Sequence, residues 1–425
     1  MSDVLGELQQ RGLVALTTEE AALRAALAEG PVTYYVGFDP TAPSLHMGNL
    51  VQLLLARHLQ DAGHRPLMLV GGATGLIGDP RMSGERTLND REVVAGWIDK
   101  IRGQIERFID FDGPYAARMV NNLDWTGEVS AIDFLRDIGK HFSVNRMLAK
   151  EAVSARLNSE HGISFTEFSY QVLQGNDYLE LFRRYGCTLQ TGGSDQWGNL
   201  TSGVDLIRRV ERTPVHALAT PLITKADGTK FGKTESGTIW LDSDLTSPYA
   251  FLQFWLNADD RDVIKYLKVF SFRSLAEIAK LEQQTNERPQ ARAAQRALAE
   301  DVTTLVHGPE LTAKALAATE ALFGGGEIRG LDVETLGHVV AELPSGTVSR
   351  SGVLAGEVGA VDALVSSGLV ASKGAARRAI KEGGAYVNNV KVTAEDAVIA
   401  ADDLLGERYV LLRRGKKTLG ALTAE

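Results

Sequence analysis

A strand–helix–strand succession near the start of the chain restricts its fold more than any other feature. Residues 33–38 (TYYVGF) and 66–71 (PLMLVG) are β-rich runs, and NLVQLLLARHLQDAGH separates them. Within that stretch Leu50, Leu53, Leu54 and His58 share one helical face, and Gly63 stands where a left-handed stop belongs. Strands joined by a helix pair in parallel, which implies an open α/β sheet. Further β-rich runs at 117–121 (ARMVN), 187–191 (CTLQT) and 215–224 extend it. Ligands of such sheets collect at the carboxyl ends of the strands, so the residues after each strand are the first candidates for chemistry.

The pattern changes at Thr246-Ser247-Pro248, where a hydroxyl cap and a proline open a helix. Helical periodicity then continues to about residue 340, with the Ala-rich amphipathic segment 288–305 inside it and no strand signal. LPSGTVSRSG at 343–352 reads as a Gly/Ser linker. The expected organisation is therefore an α/β domain (1–245), an all-α domain (246–342), a linker (343–356) and a small α+β domain (357–425). Three domains also suit a length of 425 residues. Cys187 is the single cysteine, which excludes internal disulfides and cysteine-rich metal sites. The opening MSDVLGELQQRG lacks the apolar core of a secretory signal, and no apolar run approaches membrane-spanning length. A soluble, reducing, cytoplasmic setting is expected. The net charge of −9 speaks against a nucleic-acid partner only on average, since residues 368–425 hold ten Lys/Arg against seven Asp/Glu. That part carries +3 and the remainder −12. The asymmetry suggests a basic module on an acidic body, and on charge alone reads equally as a solvated basic tail.

Five segments could carry chemistry. After the first strand comes GFDPTAPSLHMGNL, where Asp39-Pro40-Thr41 precludes helix and His46-Met47-Gly48-Asn49 begins one. A helix start offers N–H groups and partial positive charge to a phosphate, Gly48 admits a ligand close to the backbone, and His46 and Asn49 add donors. After the second strand comes GGATGLIGDP, closed by Asp79; neither its place nor its spacing suits a dinucleotide fingerprint. In FTEFSYQVLQGNDY, Tyr170, Gln174 and Asp177 fall on one helical face, and GGSDQWGN sets Asp195 and Gln196 at another strand end. GTKFGKT (228–234) has one residue too few between its glycines for a P-loop and is followed by ESGTIWLD, which is no helix. Its Lys230 and Lys233 still suit a polyphosphate. Each segment alone reads equally as an ordinary cap, turn or solvated face.

Their order and spacing resemble one family, the bacterial tyrosyl-tRNA synthetases, over essentially the whole chain. YVGFDPTAPSLHMGN is similar to the first class I signature, the "HIGH" box, and KFGKT to the second, the "KMSKS" box. GGATGLIGDP, SYQVLQGND, GGSDQWGN and KADGTKFGKTESGTIWLD resemble the tyrosine branch in particular. DALVSSGLVASKGAARRAIKEGGAYVNNVKV resembles an S4 RNA-binding domain, with Ser372, Lys373, Arg377, Arg378 and Lys381 on a basic helix before Gly383-Gly384. Asn49 stands where the family often has a second histidine, and KFGKT keeps both lysines and the hydroxyl of the usual lettering.

The resemblance implies a Rossmann-like catalytic domain, a helical anticodon-binding domain and an S4-like tail. It implies activation of L-tyrosine by Mg·ATP to tyrosyl-adenylate and transfer to the 3′ end of tRNA(Tyr), with no tightly bound metal. Thr41, His46, Asn49, Lys230 and Lys233 would be catalytic, holding phosphate charge as it develops. Tyr35 and Asp177 would meet the substrate phenol; Asp79, Tyr170 and Gln174 would hold the α-ammonium, with Gln196 nearby. ATP would lie against Gly37, Asp39, Thr41, His46, Gly48, Asn49, Gly193, Asp195, Lys230, Lys233 and Thr234. A homodimer with tRNA spanning both subunits is the family's expectation. The alternatives are a tryptophanyl enzyme, a non-catalytic RNA-binding protein on the same scaffold, and a nucleotidyltransferase acting on a small metabolite. Asp177 in its setting and the S4-like tail favour tyrosine; the full set of phosphate-handling residues favours an enzyme.

Overall fold

In the computed structural model, residues 3–80, 89–160, 162–229, 231–234, 237–324, 326–416 and 418–425 are described. They form two compact units: Met1–Asp242 with Asp259–Ala294, and Ser243–Ala258 with Gln295–Glu425.

The first unit is built on a sheet of β1 (Leu16–Thr17), β2 (Thr33–Phe38), β3 (Arg65–Val70), β4 (Arg118–Asn121), β5 (Cys187–Gly193) and β6 (His216–Thr220), in the order β1-β6-β5-β2-β3-β4. Every pairing is parallel except that of the short edge strand β1 with β6. The expected strands are all present, though the one read over 215–224 is confined to β6. The leucine-rich stretch is helix α1 (Met47–Asp61), which buries Leu50, Val51, Leu53, Leu54, Leu55 and Leu59. Gly63 follows it with φ 97°, the left-handed conformation assigned from sequence. Further along the chain lie α2 (Glu151–Leu157), α3 (Phe165–Tyr185), α4 (Trp197–Val210) and α5 (Val263–Phe270). Buried Arg11 ties α5 to this unit by donating to the carbonyls of Ser271 at 3.2 Å and Arg273 at 3.0 Å. The helical stretch 246–342 is thus divided between the two units, because α5 buries Tyr266, Leu267, Val269 and Phe270 within the first.

The second unit combines helices, among them Pro248–Leu256, Pro309–Thr319 and Val333–Ala341, with a five-stranded sheet. Its strands are β7 (Ser345–Val348), β8 (Ala385–Val387), β9 (Val390–Lys391), β10 (Tyr409–Arg414) and β11 (Thr418–Ala424), in the order β9-β8-β10-β11-β7. Here the linker expectation fails. Residues 345–348 are not a spacer but an edge strand, paired in parallel with β11 from Ser345↔Ala421 to Val348↔Ala424. Gly346 serves close packing, since a Cβ there would lie 2.0 Å from the Ser366 carbonyl oxygen. Asn388 and Asn389, both at positive φ, form the two-residue turn between β8 and β9. The basic helix α6 (Lys373–Lys381) buries Ala376, Ala379 and Ile380 and exposes Lys373, Arg377, Arg378 and Lys381. Among the described residues no helix is long and apolar enough to cross a membrane.

Candidate active site

The carboxyl ends of the central strands border a cleft of about 690 Å3. It brings together Tyr35, Gly37, Asp39, Thr41, His46, Gly48, Asn49, Asp79, Tyr170, Gln174, Asp177, Gly193, Asp195 and Gln196, residues spread over 162 positions of sequence. Every site residue read from the first half of the sequence is in that wall. Lys230 lies outside the described residues. Lys233 and Thr234 form a short strand antiparallel to Gly237–Thr238, so the expected glycine-rich loop is a narrow ribbon here.

At one side of the cleft the start of α1 is closed by its own residues. His46 Nδ1 accepts from Gly48 N–H at 3.1 Å, and Asn49 Oδ1 accepts from His46 N–H at 3.0 Å, a reciprocal cap. With Nδ1 an acceptor, a neutral ring carries its proton on Nε2. The free N–H groups expected at this helix start are not free. Met47 donates to Ile239 O at 3.3 Å, while Asn49 and Leu50 donate to His46 O. The segment after KFGKT runs alongside, with Leu241 N–H on Leu45 O at 2.9 Å and an antiparallel bridge between His46 and Trp240. A phosphate would therefore meet side chains and the helix dipole, not bare amides. Gly48 also has a different reason from the one expected: a Cβ there would lie 2.9 Å from the His46 ring. Between the two lysines Phe231 packs on Tyr266 and Phe270 of α5, at centroid distances of 4.8 and 5.3 Å. Gly232, at φ 74°, passes so close to α1 that a Cβ would be 2.8 Å from Met47 Cβ. The two sequence boxes thus adjoin.

The floor of the cleft is a polar network on β2, β4 and α3. Asp177 is 2% exposed and accepts from Asn122 Nδ2 and Trp125 Nε1, each at 2.9 Å. Burial pushes its carboxyl up to about 7, against the pull of those two donors. Tyr35, also 2% exposed, stacks 5.4 Å from Tyr178, and its hydroxyl is buried with no hydrogen-bond partner among the described residues. Gln174 Oε1 and Gln190 Oε1, likewise lining the cleft, are buried acceptors without a partner there. A site with unmet polar groups at its base is prepared for a ligand that completes them. Asp39 accepts from Thr74 Oγ1 at 2.6 Å and from the Tyr170 hydroxyl at 2.7 Å, so residues assigned to different substrates are bonded to each other. Gly71 leaves room for this, as a Cβ there would lie 2.0 Å from Asp39 Oδ1. Asp79 accepts from Gln196 Nε2 at 2.8 Å and from Asn199 Nδ2 at 3.1 Å.

Asn122, Trp125, Gln190 and Asn199 were not singled out from sequence. Asn122 directly follows β4, so the strand-end rule applied to that strand would have found it; Trp125 carries no comparable signal. In α6 the Ser372 hydroxyl caps its own helix by accepting from Ala375 N–H at 3.2 Å. Lys373 pairs with Asp362 at 2.6 Å and Arg377 with Glu395 at 3.7 Å, all on the surface.

Known proteins supply the family. Residues 27–324 match the sequence model of the class I tRNA synthetases (W and Y), and residues 338–420 match a "Tyrosine--tRNA ligase SYY-like C-terminal domain". The tyrosine–tRNA ligase of Streptomyces avermitilis is 67% identical over 423 residues, covering 99% of each chain. That of Streptomyces coelicolor is 64% identical over 423 residues, again covering 99% of each. Among solved structures, a C-terminally truncated mitochondrial tyrosyl-tRNA synthetase of Aspergillus nidulans superposes with TM-score 0.69 at 28% identity, covering 76% of this chain and 95% of that one. The cleft geometry and these whole-length matches agree, and the chain belongs to the tyrosine–tRNA ligases of the class I tRNA synthetases.

Proposed function

We propose that this chain activates L-tyrosine with ATP, releasing pyrophosphate, and transfers the tyrosyl group to the 3′ end of tRNA(Tyr) in the cytoplasm. The observation that carries the tyrosine reading is the pairing of buried Asp177 with the unpartnered Tyr35 hydroxyl at the cleft floor. A substrate phenol donates to the carboxylate and accepts from the tyrosine. Phenylalanine would leave the Tyr35 hydroxyl buried and unmet and deny Asp177 the phenol's hydrogen bond, and the unmet hydroxyl alone costs about 1–3 kcal/mol. Asp79, Tyr170 and Gln174 hold the α-ammonium, and Gln196 supports Asp79.

The attacking tyrosine carboxylate is ionised at neutral pH, so the first step needs no general base. Its oxygen attacks the α-phosphorus of ATP and pyrophosphate leaves with its electron pair. Catalysis is then positioning and charge stabilisation. His46 Nε2–H and Thr41 meet the phosphates, Lys230 and Lys233 neutralise the departing pyrophosphate while Thr234 donates a hydrogen bond to it, and Mg2+ would enter as part of the ATP substrate. Gly37, Gly193 and Asp195 border the nucleoside. The exposed residues of α6 contact tRNA, Arg378 and Lys381 first, because Lys373 and Arg377 have acidic neighbours. The domain limits at 245 and 342 remain our division of catalytic and anticodon-binding parts.

A homodimer is part of this proposal. Ile132, Leu135, Val144, Leu157 and Phe165 are exposed large apolar residues within one stretch of sequence, Phe165 at 75% and Ile132 at 70%. Phe165→Asp should yield monomers in analytical ultracentrifugation.

ATP–pyrophosphate exchange with tyrosine, tryptophan and phenylalanine in turn tests the function. Exchange with tyrosine alone is expected; exchange with tryptophan alone, or with none, rejects it. Asp177→Ala should abolish tyrosine-dependent exchange while leaving thermal melting of the chain intact.

A further inference from the structure

We infer that Lys150 and Asn199 are positioning residues for Asp79, fixing the carboxylate that receives the α-ammonium; this rests on the tyrosine reading above. Lys150 precedes α2 and reaches into the first turn of α4. Its Nζ donates to the Gly198 carbonyl, to Ser202 Oγ at 3.0 Å, and lies 3.5 Å from Asn199 Oδ1. From the other end of the same amide, Asn199 Nδ2 donates to Asp79 Oδ1 at 3.1 Å and to Gln196 Oε1 at 2.9 Å. Gln196 Nε2 completes the ring by donating to Asp79 Oδ2 at 2.8 Å.

The chemistry of the two ends allows one arrangement. Burial lowers Lys150 to about 7, and in its ammonium form it only donates while a carboxylate only accepts, so an amide between them turns its oxygen to Lys150 and its nitrogen to Asp79. Lys150 adds to the preference that Asp79 and Gln196 already impose, because a flip would set Asn199 Oδ1 against two acceptors and its Nδ2 against the lysine. Both Asp79 oxygens are gripped from the α4 side, which fixes the plane of the carboxylate in the cleft wall. The backbone shows that Lys150 is built in. A Cβ on Gly198 would sit 3.1 Å from the lysine's Cδ and Cε and 3.2 Å from its Nζ, so this position must be small for the side chain to pass. Gln171 Nε2 also bonds Ser202 Oγ at 2.8 Å, tying the same turn to α3, which carries Tyr170 and Gln174.

Lys150→Met, Asn199→Ala and Gly198→Ala in the full chain test this, with three ligands competing in exchange and in equilibrium binding. Tyrosine and tyramine carry the ammonium; 3-(4-hydroxyphenyl)propionate lacks it. Each substitution should weaken tyrosine and tyramine roughly 3- to 10-fold, as loss of one hydrogen bond would, and leave the propionate unchanged. KM for tyrosine should rise while KM for ATP holds. Equal weakening of all three ligands, or of none, overturns the inference. If Lys150→Met does not fold, Asn199→Ala faces the same two outcomes with the lysine in place. An unsubstituted chain that binds none of the ligands rejects the tyrosine reading itself. An unsubstituted chain that binds them while the variants behave alike rejects only the positioning role.

Discussion

The carboxyl of Asp177 is poised by opposing effects: burial raises it to about 7, and the N–H groups of Asn122 and Trp125 lower it. If its ionised form accepts the substrate phenol, as proposed above, kcat/KM for tyrosine should fall as pH drops through about 7. Trp125→Phe removes a donor that favours the carboxylate, so the midpoint should move to higher pH; a profile that stays in place would show that the indole does not tune the acid. Gly48→Ala would push a methyl against the His46 ring and break the reciprocal cap. Single-turnover activation should slow by roughly 10- to 100-fold, since His46 would be displaced from developing charge, while tyrosine affinity holds. Asp39, His46, Asn49, Asp79, Asp195 and Gln196 were legible because they come after strands, and Tyr170, Gln174 and Asp177 because they share a face of α3, whereas Tyr35, inside β2, rested on the family resemblance. The pairings among them were not legible, because Asn122–Asp177 and Asn199–Asp79 join positions 55 and 120 residues apart, a relation only the folded sheet creates.

At the scale of the element, α1 has two tasks, and His58 marks the conflict between them. Its ring faces Phe272 at 4.8 Å, and burial, with Arg11 nearby, depresses its pKa to about 4. The folded chain therefore holds His58 neutral, whereas the unfolded chain protonates it near 6.5. Stability from this site is complete above 6.5 and is lost as pH falls toward 4. Between pH 7 and 5 the loss is about 2 kcal/mol, and His58→Phe should abolish it in denaturation curves at the two pH values. In sequence His58 was legible only as a member of the apolar face. The strands were readable because alternation and bounding glycines fix them locally. The edge strand β7 was not, because SGTV has linker composition and becomes a strand only when β11 supplies its hydrogen bonds.

For the whole molecule, the sheet that includes β7 sets where the chain can be shortened. Ending at residue 356 would leave β7 without β11, exposing an unpaired edge. Ending at 342 removes the whole sheet. Both forms should activate tyrosine, since the cleft lies wholly in the first unit, and both should lose tRNA charging. The longer form should aggregate more, a difference visible in light scattering; equal solubility would show that the edge is harmless. The expected linker depended on reading glycine and serine as flexibility, whereas Gly346 is there to admit a neighbouring carbonyl. The parallel pairing of β7 with β11 also has a consequence in time. On a ribosome, at roughly 5–20 residues per second, β7 is made several seconds before β11. Through that interval the early strand has no neighbour on its β11 side, so the sheet closes only when β11 has been made, well after the activation cleft is complete.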